Sequence, residues 1–223
     1  MSYFLTLETT TKNCSVAIFK KDKLLYLKEQ NEDRYLHSEK LNLFIKDSLS
    51  KSNISLQKLD AIFISSGPGS YTGLRIGTST AKGLCYSLDI PLISISTLEA
   101  MSDNVKKNKK IFYYCPMLDA RRDEVYSAIF DSDNVIVRET RADIVDSKIY
   151  LNFLNKKVLF FGPGAIKCKS LINHKNAVFK ESIFPSAKNL GALGFKKFLN
   201  EDFEDIAYFE PCYLKDFIAG PKK

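Results

Sequence analysis

Residues 61–97, AIFISSGPGSYTGLRIGTSTAKGLCYSLDIPLISIST, constrain this chain more than any other stretch. The opening AIFIS is short, apolar and rich in β-branched and aromatic side chains, the pattern of a buried strand. Gly67, Pro68 and Gly69 end it. From about Thr72 to Leu88 the pattern is helical, and after Pro91 the run PLISI reads as a second buried strand. Strand, helix, strand within a few dozen residues is a βαβ unit, which builds a parallel sheet. The helix is unusual: Gly73, Gly77 and Gly83 lie along it among Thr78, Ser79, Thr80, Ala81 and Ser87. Each interior glycine costs a helix roughly 1 kcal/mol relative to alanine, so something must offset that cost.

The flanking pattern says which fold holds this unit. Apolar runs at 3–7, 14–19 and 24–28, joined by short polar turns, predict an antiparallel meander. A polar stretch at 30–35 precedes a helix over 36–51, with Leu41, Phe44, Ile45 and Leu49 on one side, and a helical turn at 55–59. The order βββ-α-β-α-β is the ribonuclease-H-like layout, half of the actin-like (ASKHA) architecture. Ser96 and Glu99 form a capping box for a helix reaching about Val105. The charged run KKNKK at 106–110 marks a domain boundary, dividing the chain into an N-terminal lobe, 1–105, and a C-terminal lobe, 106–223. The order then restarts: strands at 111–118, 125–130 and 135–138, a helix at 146–154, a strand at 158–161, a GPG turn at 162–164, a helix at 165–172, a strand at 177–179, and a helix at 186–199 capped by Ser186. The expected fold class is therefore α/β, a two-lobed actin-like chain of two ribonuclease-H-like βββαβα lobes, the second degenerate. The aromatic-rich tail at 207–217 is expected to dock back on a lobe, the first being the candidate, with the last residues loose.

Composition narrows the setting. Five cysteines, odd in number, widely spaced and without a CxxC, fit a reduced cytosolic protein rather than a disulfide or zinc framework. No apolar run approaches the ~18 residues of a membrane span, and the N-terminus lacks a basic region ahead of an apolar one, so no membrane role and no signal peptide are expected. A net charge of +7 permits contact with nucleic acid, but the lysines are scattered in short pairs.

None of four catalytic readings fits the residues. The glycine turn is neither GxGxxG nor a P-loop, and Pro68 removes one donor N–H. An actin-like phosphate clamp needs a glycine-lined turn with an acid in each lobe. The turn after Glu8 has no glycine, and the turn at 119–124 places Arg121, Arg122 and two further acids around Asp119. A metal site is not suggested by His37 and His174, far apart and predicted on different lobes. No GxSxG supports a nucleophile. No catalytic or metal-ligating residue is assigned. The helix offers something else. Leu74, Ala81, Leu84, Cys85 and Leu88 should face the sheet; Ile76, Thr80, Gly83 and Ser87 form a stripe of small residues beside them; Arg75, Ser79, Lys82 and Tyr86 form a third. Two readings fit the small stripe. Helix 36–51 packs tightly on it within the lobe, or the two helices, with the spare apolar Leu43, make a patch for two partner helices.

The string SGPGSYTGLRIG at 66–77, followed by AKGL at 81–84 and SISTL at 94–98, closely resembles the TsaB (YeaZ) family. The resemblance extends to LETTTKNCSVA at 7–17, HSE at 37–39, LDA at 59–61, LDARRDEVY at 118–126 and FGPGA at 161–165, in order over most of the chain. Glu8 stands where many members carry Asp. The resemblance implies a non-catalytic subunit that pairs with the catalytic TsaD. With TsaE, the pair installs threonylcarbamoyl on N6 of adenosine 37 of tRNAs reading codons that start with A. It implies no cofactor on this subunit, ATP and metal on the partners, tRNA met through the complex, and a cytoplasmic setting. Pairing in the family runs through two N-lobe helices, with TsaD or, without it, as a homodimer. The residues expected on that face are His37, Glu39, Leu43, Gly73, Arg75, Ile76, Ser79, Thr80, Lys82, Gly83 and Ser87. Glu8, Arg75 and Lys82 are those a nucleotide would meet if one bound. The alternative is an enzyme of the same superfamily, glycopeptidase-like or ATP-dependent.

Overall fold

A computed structural model describes residues 2–32, 34, 36–105 and 108–215. Lys106 and Lys107 of the boundary run and the end of the tail from 216 onward lie outside them. The meander is β1 (Tyr3–Glu8), β2 (Asn13–Lys20) and β3 (Lys23–Asn31). Then come α1 (His37–Ser52), β4 (Ala61–Gly67), α2 (Tyr71–Leu88), β5 (Leu92–Ser96) and α3 (Thr97–Asn104). Ser96 accepts a hydrogen bond from the Glu99 amide at 3.4 Å, as the capping box predicts. The first sheet has the order β3-β2-β1-β4-β5, with β4 parallel to β1 and β5 parallel to β4.

The second half repeats this plan. It comprises β6 (Tyr113–Asp119), β7 (Glu124–Phe130), β8 (Ile136–Ile144), β9 (Val158–Phe161), α4 (Ala165–Cys168) and β10 (Ala177–Lys180). Its sheet order is β10-β9-β6-β7-β8, with β9 parallel to both β6 and β10. Two five-stranded sheets of the same topology make the two-lobed actin-like architecture.

Period-two alternation builds the layers. On the first sheet Leu5, Leu7, Val16, Ile18, Ile62 and Ile64 face a core shared with α1 and α2. Phe4, Ala17, Phe19, Ala61, Phe63 and Ile93 face the other way. What covers that second face comes from the far end of the chain: a 3-10 turn (Ala187–Leu190) and α5 (Gly191–Leu199). In return α3 sends Leu98 and Met101 into the core under Tyr114, Leu118 and Phe161 of the second sheet. Each half thus lends a helix to the space between the sheets. Asn104 of α3 joins the two layers by donating to the Asn189 carbonyl at 2.9 Å.

Three expected helices are corrected. Residues 146–154 form successive turns, not a helix; the Asp146 carboxylate holds the amides of Lys148 and Ile149, and Tyr150 and Leu154 are buried. The helix at 165–172 is the single turn α4. The helix at 186–199 starts as a 3-10 turn, and Ser186 does not cap it: its hydroxyl donates to Glu29 on β3 at 2.5 Å. That bond helps dock the segment on the first sheet, with Asn13 donating to the Pro185 carbonyl at 2.8 Å and Thr6 to that of Ala187 at 2.9 Å.

α5 reaches the sheet because it is shaved at two positions. A Cβ on Gly191 would sit 2.1 Å from the Phe19 ring and one on Gly194 2.2 Å from that of Phe63. Gly194→Ala is therefore expected to destabilise by about 1–2 kcal/mol, overpacking outweighing the better helix propensity. A melting temperature at or above wild type would show that α5 is not seated on Phe63.

Candidate functional site

The glycine corner after β4 delivers the chain into α2. Gly67 has φ +105°, a conformation that favours glycine, and the Ser70 hydroxyl caps α2 by accepting from the Gly73 amide at 3.4 Å. The space beside the corner is filled by the turn that follows β1. The Ser70 amide donates to the Thr10 carbonyl at 2.7 Å, and the Thr9 hydroxyl to the Gly73 carbonyl at 2.8 Å. A Cβ on Gly69 would lie 2.5 Å from Thr10, on Gly73 2.0 Å from the Thr9 carbonyl oxygen, and on Gly77 2.3 Å from the Thr9 hydroxyl. Two of the three glycines of α2 thus let the helix close on this turn. His37 holds the same turn from α1, its buried Nε2 2.7 Å from the Thr11 carbonyl oxygen.

Glu8 ends β1 where a phosphate clamp would carry its acid, but it is buried and turned inward. Its carboxylate accepts from the Thr10 amide at 2.6 Å and the Thr10 hydroxyl at 2.5 Å. Burial pushes its pKa up, against the lowering effect of these bonds. A carboxyl whose folded pKa is raised stabilises the fold below its ordinary value, and that contribution is lost as pH rises through the raised one. Glu8→Gln removes the charge, so its melting temperature relative to wild type should climb with pH from about 4.5 upward. A difference that stays flat in parallel melts would contradict this.

The second lobe repeats the corner. Gly162 has φ +104°, the Gly164 amide donates to the Met117 carbonyl at 2.9 Å, and a Cβ on Gly164 would meet Leu118 at 2.7 Å. In the turn at 119–124, Arg121 and Arg122 are exposed; the group that fills the turn is one the sequence reading missed. Lys167 of α4 donates to Asp119 at 2.5 Å and to the carbonyls of Arg122 and Glu124, each at 2.7 Å. The turn therefore presents acceptors to an ammonium, where phosphate would need donors. The FGPGA string carried the signal for the corner; nothing marked Lys167 as its plug.

Other chemistry finds little support among the described residues. They hold no cluster of three or more metal-ligating side chains. Burial raises the thiols of Cys14 and Cys85 to about 12, where they are inert. Arg138 and Asp143 form a largely buried ion pair that also takes in Ser127 and Tyr150, a closed network inside the second lobe.

The outer face of α1 and α2 is different. Glu39, Leu43, Arg75, Ser79, Gly83 and Ser87 are exposed, and Ile76, Thr80 and Lys82 half-buried. His37 and Gly73, expected on this face, are instead covered by their own chain at the β1–β2 turn. A Cβ on Gly83 would meet nothing within 4 Å, so packing by α1 does not account for that glycine. On α1 the apolar Leu43 is 60% exposed, and on α2 Tyr86, of the third stripe, 84%. Lys82 is committed to the chain itself, donating to the carbonyls of Ala207 at 3.2 Å and Phe209 at 3.1 Å. Arg75 lies 4.3 Å over the Tyr71 ring and donates to its hydroxyl at 2.8 Å. Of the three residues a nucleotide would meet, Glu8 is thus enclosed, and Arg75 and Lys82 already have partners within the chain.

Comparison with known proteins bears on this arrangement. Residues 33–218 match the model of the family described as TsaD, tRNA N6-adenosine threonylcarbamoyltransferase. The chain is similar to the tRNA threonylcarbamoyladenosine biosynthesis protein TsaB of Buchnera aphidicola subsp. Schizaphis graminum, 30% identical over 83% of this chain and 90% of that one. It is similar to TsaB of Haemophilus influenzae, 26% identical over 98% of this chain and 95% of that one. Among solved structures, YeaZ from Pseudomonas aeruginosa superposes with a TM-score of 0.81 at 22% identity, covering 96% of this chain and all of that one.

Proposed function

The chain belongs to the TsaB (YeaZ) family of tRNA threonylcarbamoyladenosine biosynthesis proteins, and we propose that it is the non-catalytic pairing subunit of the complex that makes this modification. The observation that carries the reading is that both phosphate turns of the fold are occupied by the chain's own groups: the turn after Glu8 is closed against Gly69 and Gly73 and held by Ser70 and His37, and the turn at 119–124 is held by Lys167. An actin-like chain with stopped turns keeps the shape of its superfamily without the clamp. What it offers outward is the α1/α2 face, with Leu43, Gly83 and Ser87 open. We place the catalytic subunit TsaD on that face, through two helices packing on two, and a second copy of this chain there when TsaD is absent. The subunit binds no cofactor; ATP and metal belong to TsaD and TsaE, and tRNA is met through the assembled complex in the cytoplasm. The product is threonylcarbamoyl on N6 of adenosine 37 in tRNAs reading codons that start with A.

The test is reconstitution. The chain alone should transfer nothing to tRNA; TsaD with TsaE should be nearly inactive; adding this chain should restore transfer, with TsaD co-purifying. Transfer by the chain alone, or unchanged transfer without it, would overturn the proposal. Stoichiometric zinc and peptide cleavage by the purified chain would favour the glycopeptidase alternative, and micromolar ATP binding the ATP-dependent one.

A further inference from the structure

After α5 the chain runs back over the first lobe and, at Lys215, reaches the second. The Glu204 amide donates to the Leu92 carbonyl at 2.8 Å, and the Ser94 hydroxyl to its carboxylate at 2.5 Å, tying the segment to the edge strand β5. Ile206 and Phe209 pack on the core beneath α1 and α2, and Lys82 donates to the carbonyls of Ala207 and Phe209. The Cys212 amide donates to the Ser66 carbonyl at 2.8 Å at the glycine corner, and the Tyr213 ring lies 4.5 Å from that of Tyr71 at the start of α2. Lys215 then pairs with Glu124 at the start of β7, in the other lobe. Nothing in the pairing function requires this route. A tail needed merely to protect β5 could stop at Glu204.

We infer that residues 204–215 are a lock between the lobes, latched on α2 by Lys82 and on β7 by Lys215. The lock holds the glycine corner and the turn at 119–124 at a fixed separation. Helices lent by each half pack between the two sheets, and the segment adds a tether outside that packing. Here the segment crosses from one turn to the other, carried by Cys212 and Tyr213 on the near side and Lys215 on the far side. The Lys215 latch is independent of the pairing proposal, since Lys215 and Glu124 both lie away from α1 and α2.

The test is amide exchange on the full chain, read at Cys212 and over residues 120–126, with β1 and β2 as the internal control for folding. A single half-exposed ion pair is a modest contributor, so Lys215→Glu should speed exchange over 120–126 by about two- to fivefold, and Lys82→Met with Lys215→Glu by about tenfold. Adding Glu124→Lys to Lys215→Glu restores the pair with its charges exchanged and should return protection to the wild-type level. Faster exchange at Cys212 with no change over 120–126 would show a segment that decorates one lobe only, and would overturn the lock. So would a charge exchange that fails to rescue. Co-purification with TsaD, measured on Lys215→Glu and on its charge exchange with Glu124→Lys, should be unchanged. Its loss would bear on the pairing reading and leave the exchange result to judge the lock.

Discussion

Gly73→Ala is expected to lower the melting temperature by about 6–12 °C, a cost near 3 kcal/mol for a chain of this size. In an exposed helix the same change would be a gain, because alanine is the better helix former by roughly 1 kcal/mol. The sign reverses because the added Cβ would lie 2.0 Å from the Thr9 carbonyl oxygen, with His37 at 3.3 Å behind it. The obstacle is backbone, and that backbone is fixed from several sides: the Thr9 hydroxyl bonds the Gly73 carbonyl, the Thr10 carbonyl accepts from the Ser70 amide, and His37 reaches Thr11. Relief therefore requires α2 to lift off the β1–β2 turn along its first two turns. Thermal melts of Gly73→Ala and Gly77→Ala should both fall, the second by less, since its nearest neighbour is the Thr9 side-chain hydroxyl at 2.3 Å. A Gly73→Ala protein that melts at or above wild type would mean that the helix and the turn do not meet this way.

These glycines also measure how much of the molecule was legible in its sequence. The strands and the βαβ unit were legible because each carries its own period: Leu5, Leu7, Ile62 and Ile64 go to one side, Phe4 and Phe63 to the other. The capping boundary at Ser96 was legible because Glu99 sits three residues on. What escaped depends on residues far apart. Gly191 and Gly194 look like ordinary helix breakers until Phe19 and Phe63 are seen beneath them. Ser186 has the chemistry of a helix cap and spends its hydroxyl on Glu29, 157 residues away. Tyr150 belongs to turns rather than a helix because its hydroxyl is held in the buried network with Ser127 and Asp143. At the candidate site the small residues of α2 could be found from the sequence. Their division into residues used by the chain itself, such as Gly73 and Gly77, and residues left open, such as Gly83, could not, because Thr9 lies 64 positions from Gly73.

That division makes Gly83→Leu the variant with the largest expected effect on association. Gly83 has open space around it and lies in the last two turns of α2, away from the Thr9 contact. Leucine there gains helix propensity of roughly 0.5–1 kcal/mol, so the free protein should melt no lower than wild type. In a complex whose helices cross at Gly83, the isobutyl group has no place. Overpacking at a close helix contact then costs about 3 kcal/mol, which is two orders of magnitude in Kd. Titration calorimetry of Gly83→Leu against TsaD should show that loss, while Gly83→Ala, a change of one methyl group, should lose far less. Leu43→Asp provides the second arm from α1: it puts a charge on an exposed apolar position of the same face, and it should also weaken pairing without lowering stability. Wild-type affinity in Gly83→Leu and Leu43→Asp together would remove the α1/α2 face from the pairing function, whatever the chain does in the complex. Loss of affinity in both, with melting curves unshifted, would place the partner's helices across the residues that this fold leaves uncovered.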